Sequence, residues 1–81
     1  MSEEPFYLPK LGMQMQEGTV VSWLKQPGDP VAAGEPICVI ETDKVEAELE
    51  SDVAGTVARI ETPAGETVPV GTVLATIEVL G

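Results

Sequence analysis

The sequence predicts an all-β domain: a flattened barrel or sandwich of two pseudo-symmetric halves, with one lysine at a hairpin tip. Three observations lead to this fold class. The chain contains an internal repeat, its apolar runs are short and rich in β-branched residues, and proline occurs too often for helices of useful length. With only two copies, such a repeat is expected to close on itself and bury one shared core.

The repeat relates residues 17–41 to residues 54–78 without a gap, at an offset of 37 positions. The identical pairs are Gly18/Gly55, Thr19/Thr56, Val20/Val57, Gly28/Gly65, Val31/Val68, Gly34/Gly71, Ile40/Ile77 and Glu41/Glu78. Several of these are glycines in turn-forming sequences. We therefore expect one supersecondary unit to occur twice, with Gly34 and Gly71 at equivalent turn positions that need a positive φ angle.

Each half reads as two longer strands joined through a short one. TVVSWL and TVARIE follow a glycine, and PICVIE and VLATIEV are apolar runs bounded by glycine or proline. Between them lie loop-rich segments, each with a short strand centred on Val31 or Val68.

Length and composition exclude several classes of function. The 81 residues form one domain, 1–81, with a core of about 6–78 and no room for a deep catalytic cleft. The chain has no histidine and a single cysteine, so no metal site is predicted, and Cys38 in ICVI is interpreted as a core residue. A formal charge of −10 disfavours nucleic acid and anionic membranes as partners. The opening MSEEPFY resembles no signal peptide, and no apolar run could span a membrane, so we expect a cytoplasmic protein.

The segment that joins the two halves, residues 42–53, contains a lysine in acidic surroundings. Val45, Ala47 and Leu49 alternate there with glutamates 46, 48 and 50, a pattern typical of a strand with its apolar face inward and a carboxylate ladder in water. The preceding strand ends at Glu41, so TDK must form a tight hairpin turn. This arrangement predicts that Lys44 stands at the tip.

Two interpretations of Lys44 follow from the residues alone. It is either a solvated turn lysine that balances local negative charge, or an amine held out on a rigid scaffold for covalent modification. Lys10 and Lys25 are less well placed for modification, because they lie beside loops without a symmetric strand pair to hold them.

ETDKV at a hairpin, with EGTVVSWLKQPGD upstream and AGTVARI downstream, resembles the lipoyl domain of the dihydrolipoamide acyltransferase in 2-oxo acid dehydrogenase complexes. The similarity covers roughly Phe6 to Glu78, and LPKLGMQMQEGTV resembles the first strand and loop of such domains. The spacing of Gly28, Lys44 and Gly55 is that of the biotinyl and lipoyl carrier superfamily. Biotin carriers usually have methionine on both sides of the lysine, whereas this chain has aspartate and valine.

The resemblance implies a non-catalytic swinging-arm carrier. Lys44 would bear lipoic acid in amide linkage, and Glu41, Asp43 and Val45 would help a lipoyl ligase or transferase to place it. The implied partners are a thiamine-diphosphate-dependent decarboxylase, the acyltransferase catalytic domain and a dihydrolipoyl dehydrogenase. The chain would shuttle acyl groups and electrons between them, and its cofactor would supply the chemistry.

Three other classes of protein share some of these sequence features. A biotin carboxyl carrier, biotinylated on Lys44, is the alternative, because it shares the scaffold and the hairpin lysine. A calcium-binding module is disfavoured, since DKVEAELESD spaces its acids along a strand and lacks the calcium-loop pattern. A glycine-cleavage carrier would also bear lipoate, but that family resembles a longer chain with additional helical structure.

Overall fold

The computed structural model describes residues 2–13, 15–42 and 45–79, and these form two antiparallel four-stranded sheets. The strands are β1 (Ser2–Tyr7), β2 (Glu17–Trp23), β3 (Pro30–Val31), β4 (Pro36–Glu41), β5 (Glu46–Glu50), β6 (Gly55–Ile60), β7 (Thr67–Pro69) and β8 (Val73–Val79). One sheet has the order β1-β8-β6-β3 and the other β5-β4-β2-β7. No helix occurs in these ranges, and thus none that could cross a membrane. The all-β prediction is confirmed.

The two halves of the sequence repeat exchange their short strands. In the first half β2 pairs with β4, and in the second half β6 pairs with β8. The short strand β3 leaves its own half and pairs with β6, and β7 pairs with β2. Each sheet therefore contains strands from both halves, so neither sheet can be completed by one half alone.

Backbone hydrogen bonds repeat with the sequence. The Gly28 amide donates to the Val57 carbonyl at 2.7 Å, and its equivalent Gly65 donates to Val20 at 2.7 Å. These bonds cross between halves in both directions. The predicted pseudo-symmetry thus holds at the level of individual backbone donors and acceptors, beyond the similarity of side chains.

The core lies between the sheets as two clusters of buried apolar side chains. One cluster contains Leu8, Val20, Cys38, Ile40, Leu49 and Leu74, and the other contains Val31, Ile37, Val57 and Ile77. Phe6 and Trp23 pack against both clusters, and the Trp23 indole N–H donates to the Thr62 carbonyl at 2.9 Å. Burial raises the pKa of the Cys38 thiol to about 12, which agrees with its interpretation as a core residue.

The first strand was not indicated by apolar alternation. β1 is mostly exposed and contains two glutamates and Pro5, a composition that is unfavourable for an interior strand. It pairs along its length with β8, from Ser2 opposite Val79 onward. Since β1 is an edge strand, proline and charge are tolerated there. The first strand begins at Ser2, four residues before the expected core of 6–78, and the last strand ends at Val79, one residue after it.

Gly34 and Gly71 adopt the positive φ angles that the repeat predicted, +85° and +94°. A Cβ at either position would meet no heavy atom within 4 Å. Substitution there would therefore cost backbone strain without a steric clash, because side chains of L-residues disfavour this conformation.

We expect Gly34→Ala and Gly71→Ala each to lower the free energy of unfolding by roughly 1 kcal/mol or more, and by similar amounts. Gly12→Ala is the matched control: a Cβ at Gly12 also meets open space, and its φ lies outside the strained region. The control should change stability by less than about 0.5 kcal/mol. Urea denaturation measures all three. Loss at only one of the two repeat positions would contradict their equivalence.

Candidate functional site

Strands β4 and β5 position the turn that contains the predicted modification site. β4 is an interior strand, paired with β5 on one side and β2 on the other, and its Ile37, Cys38 and Ile40 side chains are buried. The β4–β5 register ends with Glu41 opposite Glu46. Four residues therefore connect the strands, and the connection begins at the end of β4, a strand that is paired on both sides.

Thr42 and Val45 close the base of this turn. The Thr42 amide donates to the Val45 carbonyl at 2.8 Å. The Thr42 hydroxyl donates to the same carbonyl at 3.3 Å, and it accepts the Val45 amide at 3.3 Å. The two ends of the connection are thus fixed by backbone and side-chain hydrogen bonds. Asp43 and Lys44, which join them in sequence, lie outside the described residues, so the hairpin-tip position of Lys44 stays a prediction.

The surface beside the turn is a strongly acidic concavity of about 510 Å³. Its lining residues are Glu17, Gly18, Thr19, Glu41, Thr42, Val45, Glu46 and Thr67. The Thr19 and Thr67 hydroxyls share a hydrogen bond of 2.6 Å, which connects β2 to β7 below the turn. Among the described residues that line this cavity, three are carboxylates and none is basic, so the field of this described lining favours cationic groups.

Glu41 and Glu46 are both exposed and lie directly opposite each other in the register. Like charges in this arrangement destabilise a strand pair. Their position at the strand ends, next to water, limits the repulsion through solvent screening. The site therefore tolerates an unfavourable charge pair at the place where a modifying enzyme would approach.

The predicted alternation in β5 is confirmed for the carboxylates and wrong for one apolar residue. Glutamates 46, 48 and 50 are exposed, and Leu49 is only 5% exposed. Val45, which was expected to face inward, precedes the strand and is 54% exposed. Val45 lies beyond the end of the described core clusters, so none of their packed side chains covers it.

The two other lysines, Lys10 and Lys25, have described positions and differ from each other in their surroundings. Lys25 forms an ion pair with Glu35, with 2.9 Å between Nζ and Oε2. The hydrogen bond from Lys25, followed by that from the Ala32 amide, lowers the pKa of the Glu35 carboxyl. Lys10 is exposed in the loop between β1 and β2.

Two parts of this surface were missed from the sequence. Glu17 and Thr67 lie far from the turn in sequence and reach the cavity because β7 pairs with β2. The repeat indicated that β7 exists but gave no signal that it crosses to the other half. Among the residues with described positions, no group of three acidic or sulfur ligands could hold a metal ion.

Two sheets with matching halves, and a four-residue connection between β4 and β5 that includes Lys44 in its sequence, define the class of domain as a pseudo-symmetric β-sandwich. A family model described as "Biotin-requiring enzyme" matches residues 4–77, nearly the whole chain. The chain belongs to this biotin/lipoyl attachment domain family.

The similar proteins are acyltransferase components that belong to different enzyme complexes. The chain is 46% identical over 76 residues to the dihydrolipoyllysine-residue acetyltransferase component of the pyruvate dehydrogenase complex of Mycobacterium bovis, covering 94% of this chain and 14% of that protein. It is 46% identical over 70 residues to the acetyltransferase component of the acetoin cleaving system of Bacillus subtilis, covering 86% and 18%. The chain thus spans less than a fifth of these two relatives.

A solved structure agrees with the fold. The lipoyl domain of the 2-oxoglutarate dehydrogenase complex from Azotobacter vinelandii superposes with a TM-score of 0.77 at 35% identity, covering 95% of this chain and 98% of that domain. The predicted fold and the predicted family resemblance are both confirmed by these similarities.

The closure of the turn yields a testable prediction. Thr42→Val keeps the side-chain shape but removes the hydroxyl that accepts the Val45 amide, so hydrogen exchange at Val45 should accelerate about fivefold, equivalent to ~1 kcal/mol for one hydrogen bond. Thr42→Ser retains the hydroxyl and should change exchange much less. An unchanged Val45 rate in Thr42→Val would show that the hydroxyl does not hold the turn.

Proposed function

We propose that this domain carries lipoate in amide linkage on Lys44 and moves acyl groups and electrons between active sites of a 2-oxo acid dehydrogenase complex. The observation that carries the proposal is the hydrogen-bonded closure between Thr42 and Val45, the residues on either side of Asp43 and Lys44, in a chain that belongs to a family of attachment domains. Similarity to acyltransferase components and to a lipoyl domain supports lipoate as the group attached.

Attachment would form an amide between the Lys44 nitrogen and the carboxyl carbon of lipoate. A ligase would first activate that carboxyl group with ATP as an acyl-adenylate; the neutral Lys44 amine would then displace AMP, which leaves with the carboxyl oxygen, and the nitrogen would release a proton. Lipoate, when attached, supplies a disulfide that can be reductively acylated and later reoxidised. The chain itself supplies presentation: it fixes both ends of the turn and keeps the acidic surface beside it. Modification would remove the positive charge of Lys44 from an acidic stretch of sequence that contains Glu41 and Glu46.

We propose no catalytic activity for the domain itself. The chain lacks histidine, and its described surface offers an open acidic concavity beside the turn. General acid–base chemistry needs groups with tuned pKa values held around a reacting atom, and enzymes usually place these in enclosed sites. The reactions would take place in the active sites of partner enzymes.

The proposed partners follow from that role. A lipoyl ligase or transferase would modify Lys44, a thiamine-diphosphate-dependent decarboxylase would load the arm, an acyltransferase catalytic domain would unload it, and a dihydrolipoyl dehydrogenase would reoxidise it. Similar relatives serve pyruvate, acetoin and 2-oxoglutarate systems. Substrate choice is therefore assigned to the decarboxylase, and the domain is assigned the shared carrier step. A cytoplasmic location stays a prediction of the sequence.

Glu41, Asp43 and Val45 are proposed as recognition residues for the modifying enzyme. Glu41 and Val45 are both exposed, so an enzyme at the turn could contact their side chains directly. The exposure of Val45 strengthens its candidacy, because a buried valine would be unavailable for recognition. Biotin carriage on the same lysine is the competing function, since the family includes both cofactors.

The first prediction is that Lys44 alone accepts lipoate. Intact and peptide mass spectrometry after reaction with lipoate, ATP and a lipoyl ligase should place one lipoyl group on Lys44. Lys44→Arg should remain unmodified with its fold intact, since the predicted position of Lys44 is at an exposed turn, where side chains contribute little stability. Lys25→Arg is the control for a changed lysine elsewhere, and it should be modified like the native domain. Modification of Lys10 or Lys25 would contradict the assignment.

The second prediction separates lipoate from biotin. Asp43→Met with Val45→Met should gain biotinylation and lose some lipoylation, because a charge and a stiff β-branched residue that repel a biotin ligase are replaced by flexible methionines. Each ligase is assayed on both domains at equal concentration. A native domain that accepts biotin readily and lipoate hardly at all would replace the lipoyl function with the biotin one.

A further inference from the structure

Two edge strands face each other across a groove that the proposed carrier function does not use. β1 ends one sheet and β5 ends the other, so within the described ranges each has a strand partner on one side only. The groove between them has a volume of about 430 Å³. It shares no lining residue with the cavity beside the lysine turn.

The repeat extends to these two strands. The Gly34 amide donates to the Ser51 carbonyl at 2.7 Å, and the equivalent Gly71 amide donates to the Leu8 carbonyl at 2.9 Å. Leu8 is therefore the counterpart of Ser51, at the C-terminal end of each edge strand. The register agrees, because Leu49 lies opposite Cys38 and Phe6 lies opposite Ala75, the counterpart of Cys38.

The groove is lined by four pairs of such counterparts: in three pairs an apolar or aromatic residue faces a carboxylate, and in the fourth both residues are apolar. The pairs are Pro5 with Glu48, Phe6 with Leu49, Tyr7 with Glu50, and Pro9 with Asp52. One wall is therefore built of prolines and aromatic rings, and the other carries three carboxylates around the buried Leu49. The backbones of the two walls are related by the pseudo-symmetry, whereas their side chains give one wall an apolar character and the other a negative charge.

Each wall has exposed groups available to a ligand. Tyr7 is 52% exposed on the first wall, while Phe6 packs onto both core clusters and provides a firm base. Glu48, Glu50 and Asp52 are exposed on the second wall. The ion pairs between described residues involve other carboxylates, on Glu3, Glu35 and Glu61. The acidic wall thus presents negative charge without an ion-pair partner in the described chain.

We propose that this groove binds an extended, proline-containing basic segment of a partner protein. Prolines would pack on the Pro5–Tyr7 wall, and arginine or lysine side chains would pair with the carboxylates opposite. A polyproline II segment suits this shape because it is already extended and loses little conformational entropy on binding. At ~3.1 Å per residue, about three residues would cover a three-residue stretch of strand, because the rise of a strand is nearly the same.

The charges determine which segment fits. An acidic or neutral segment would bring no counter-charge to Glu48, Glu50 and Asp52, and the net charge of −10 would repel the acidic one. A basic segment without proline or apolar side chains would leave the aromatic wall uncovered. Binding in this groove therefore needs both the basic side chains and the proline or apolar side chains of the segment. This double requirement distinguishes binding in the groove from general attraction of basic peptides to an acidic protein.

The test is a titration of the unmodified, isotope-labelled domain with an acetylated and amidated peptide of three Arg-Pro-Pro repeats, followed by NMR. Shift changes should concentrate at residues 5–9 and 48–52. Glu50→Gln should weaken binding about two- to fivefold, the value expected for one exposed ion pair. Glu66→Gln, an equal charge change at another exposed site, should bind like the native domain, apart from a small loss of general attraction.

The apolar wall has its own variants. Tyr7→Ser should weaken binding by a similar factor, whereas Val21→Ala, at another exposed apolar residue, should leave it unchanged. A peptide of three Arg-Gly-Ser repeats has the same charge without proline and should bind more weakly. Equal binding of both peptides, shifts centred on the lysine turn, or no shifts at all would each overturn the proposal. Because the domain is unmodified throughout, none of these outcomes depends on lipoate.

Discussion

The structure depends on the reciprocal exchange of two short strands. β3 contributes only Pro30 and Val31, yet it pairs with the second half of the repeat, and β7 returns the exchange to the first half. The glycine amides that precede these strands donate across the same boundary. An isolated half would leave these groups without partners and the apolar face of its strands in water, so the halves must fold together.

This interlocking explains the position of the candidate site. The two-fold relation makes β8 the counterpart of β4 and β1 the counterpart of β5. Under the same relation, Thr42 corresponds to Val79 and Val45 corresponds to Ser2, and these two strand ends are also paired with each other. In the second half those positions belong to separate strand ends, whereas in the first half the chain continues through Asp43 and Lys44. The single short connection thus gives one half a turn that its counterpart lacks. In this way a symmetric scaffold acquires one unique connection, which contains the proposed attachment residue Lys44.

Much of the fold could be predicted because its determinants are local. Gly34 and Gly71 reveal their turns through the repeat, and the longer strands reveal themselves through β-branched residues. The exchange of β3 and β7, the acidic strand β1 and the exposure of Val45 could not be predicted, since each depends on contacts between residues distant in sequence. For the same reason the contribution of Glu17 to the acidic cavity appears only in the folded chain.

Different parts of the domain contribute differently to the proposed carrier function. The interlocked core supplies rigidity, the closed turn supplies a defined position, and the acidic surface supplies a field that partners with basic surfaces can sense. The edge-strand groove adds a second face whose chemistry differs from that of the turn. None of these roles requires the domain to change shape when it carries its proposed cofactor.

Native-state hydrogen exchange on the unmodified and the lipoylated domain tests this account most directly. The amides of Val20, Gly28, Val57 and Gly65 form the bonds that cross between the halves. The account predicts that all four exchange with the free energy of global unfolding, and that this value is the same in both forms. It would be contradicted if the two bonds of one half opened at a lower free energy than those of the other, or if lipoylation altered their protection.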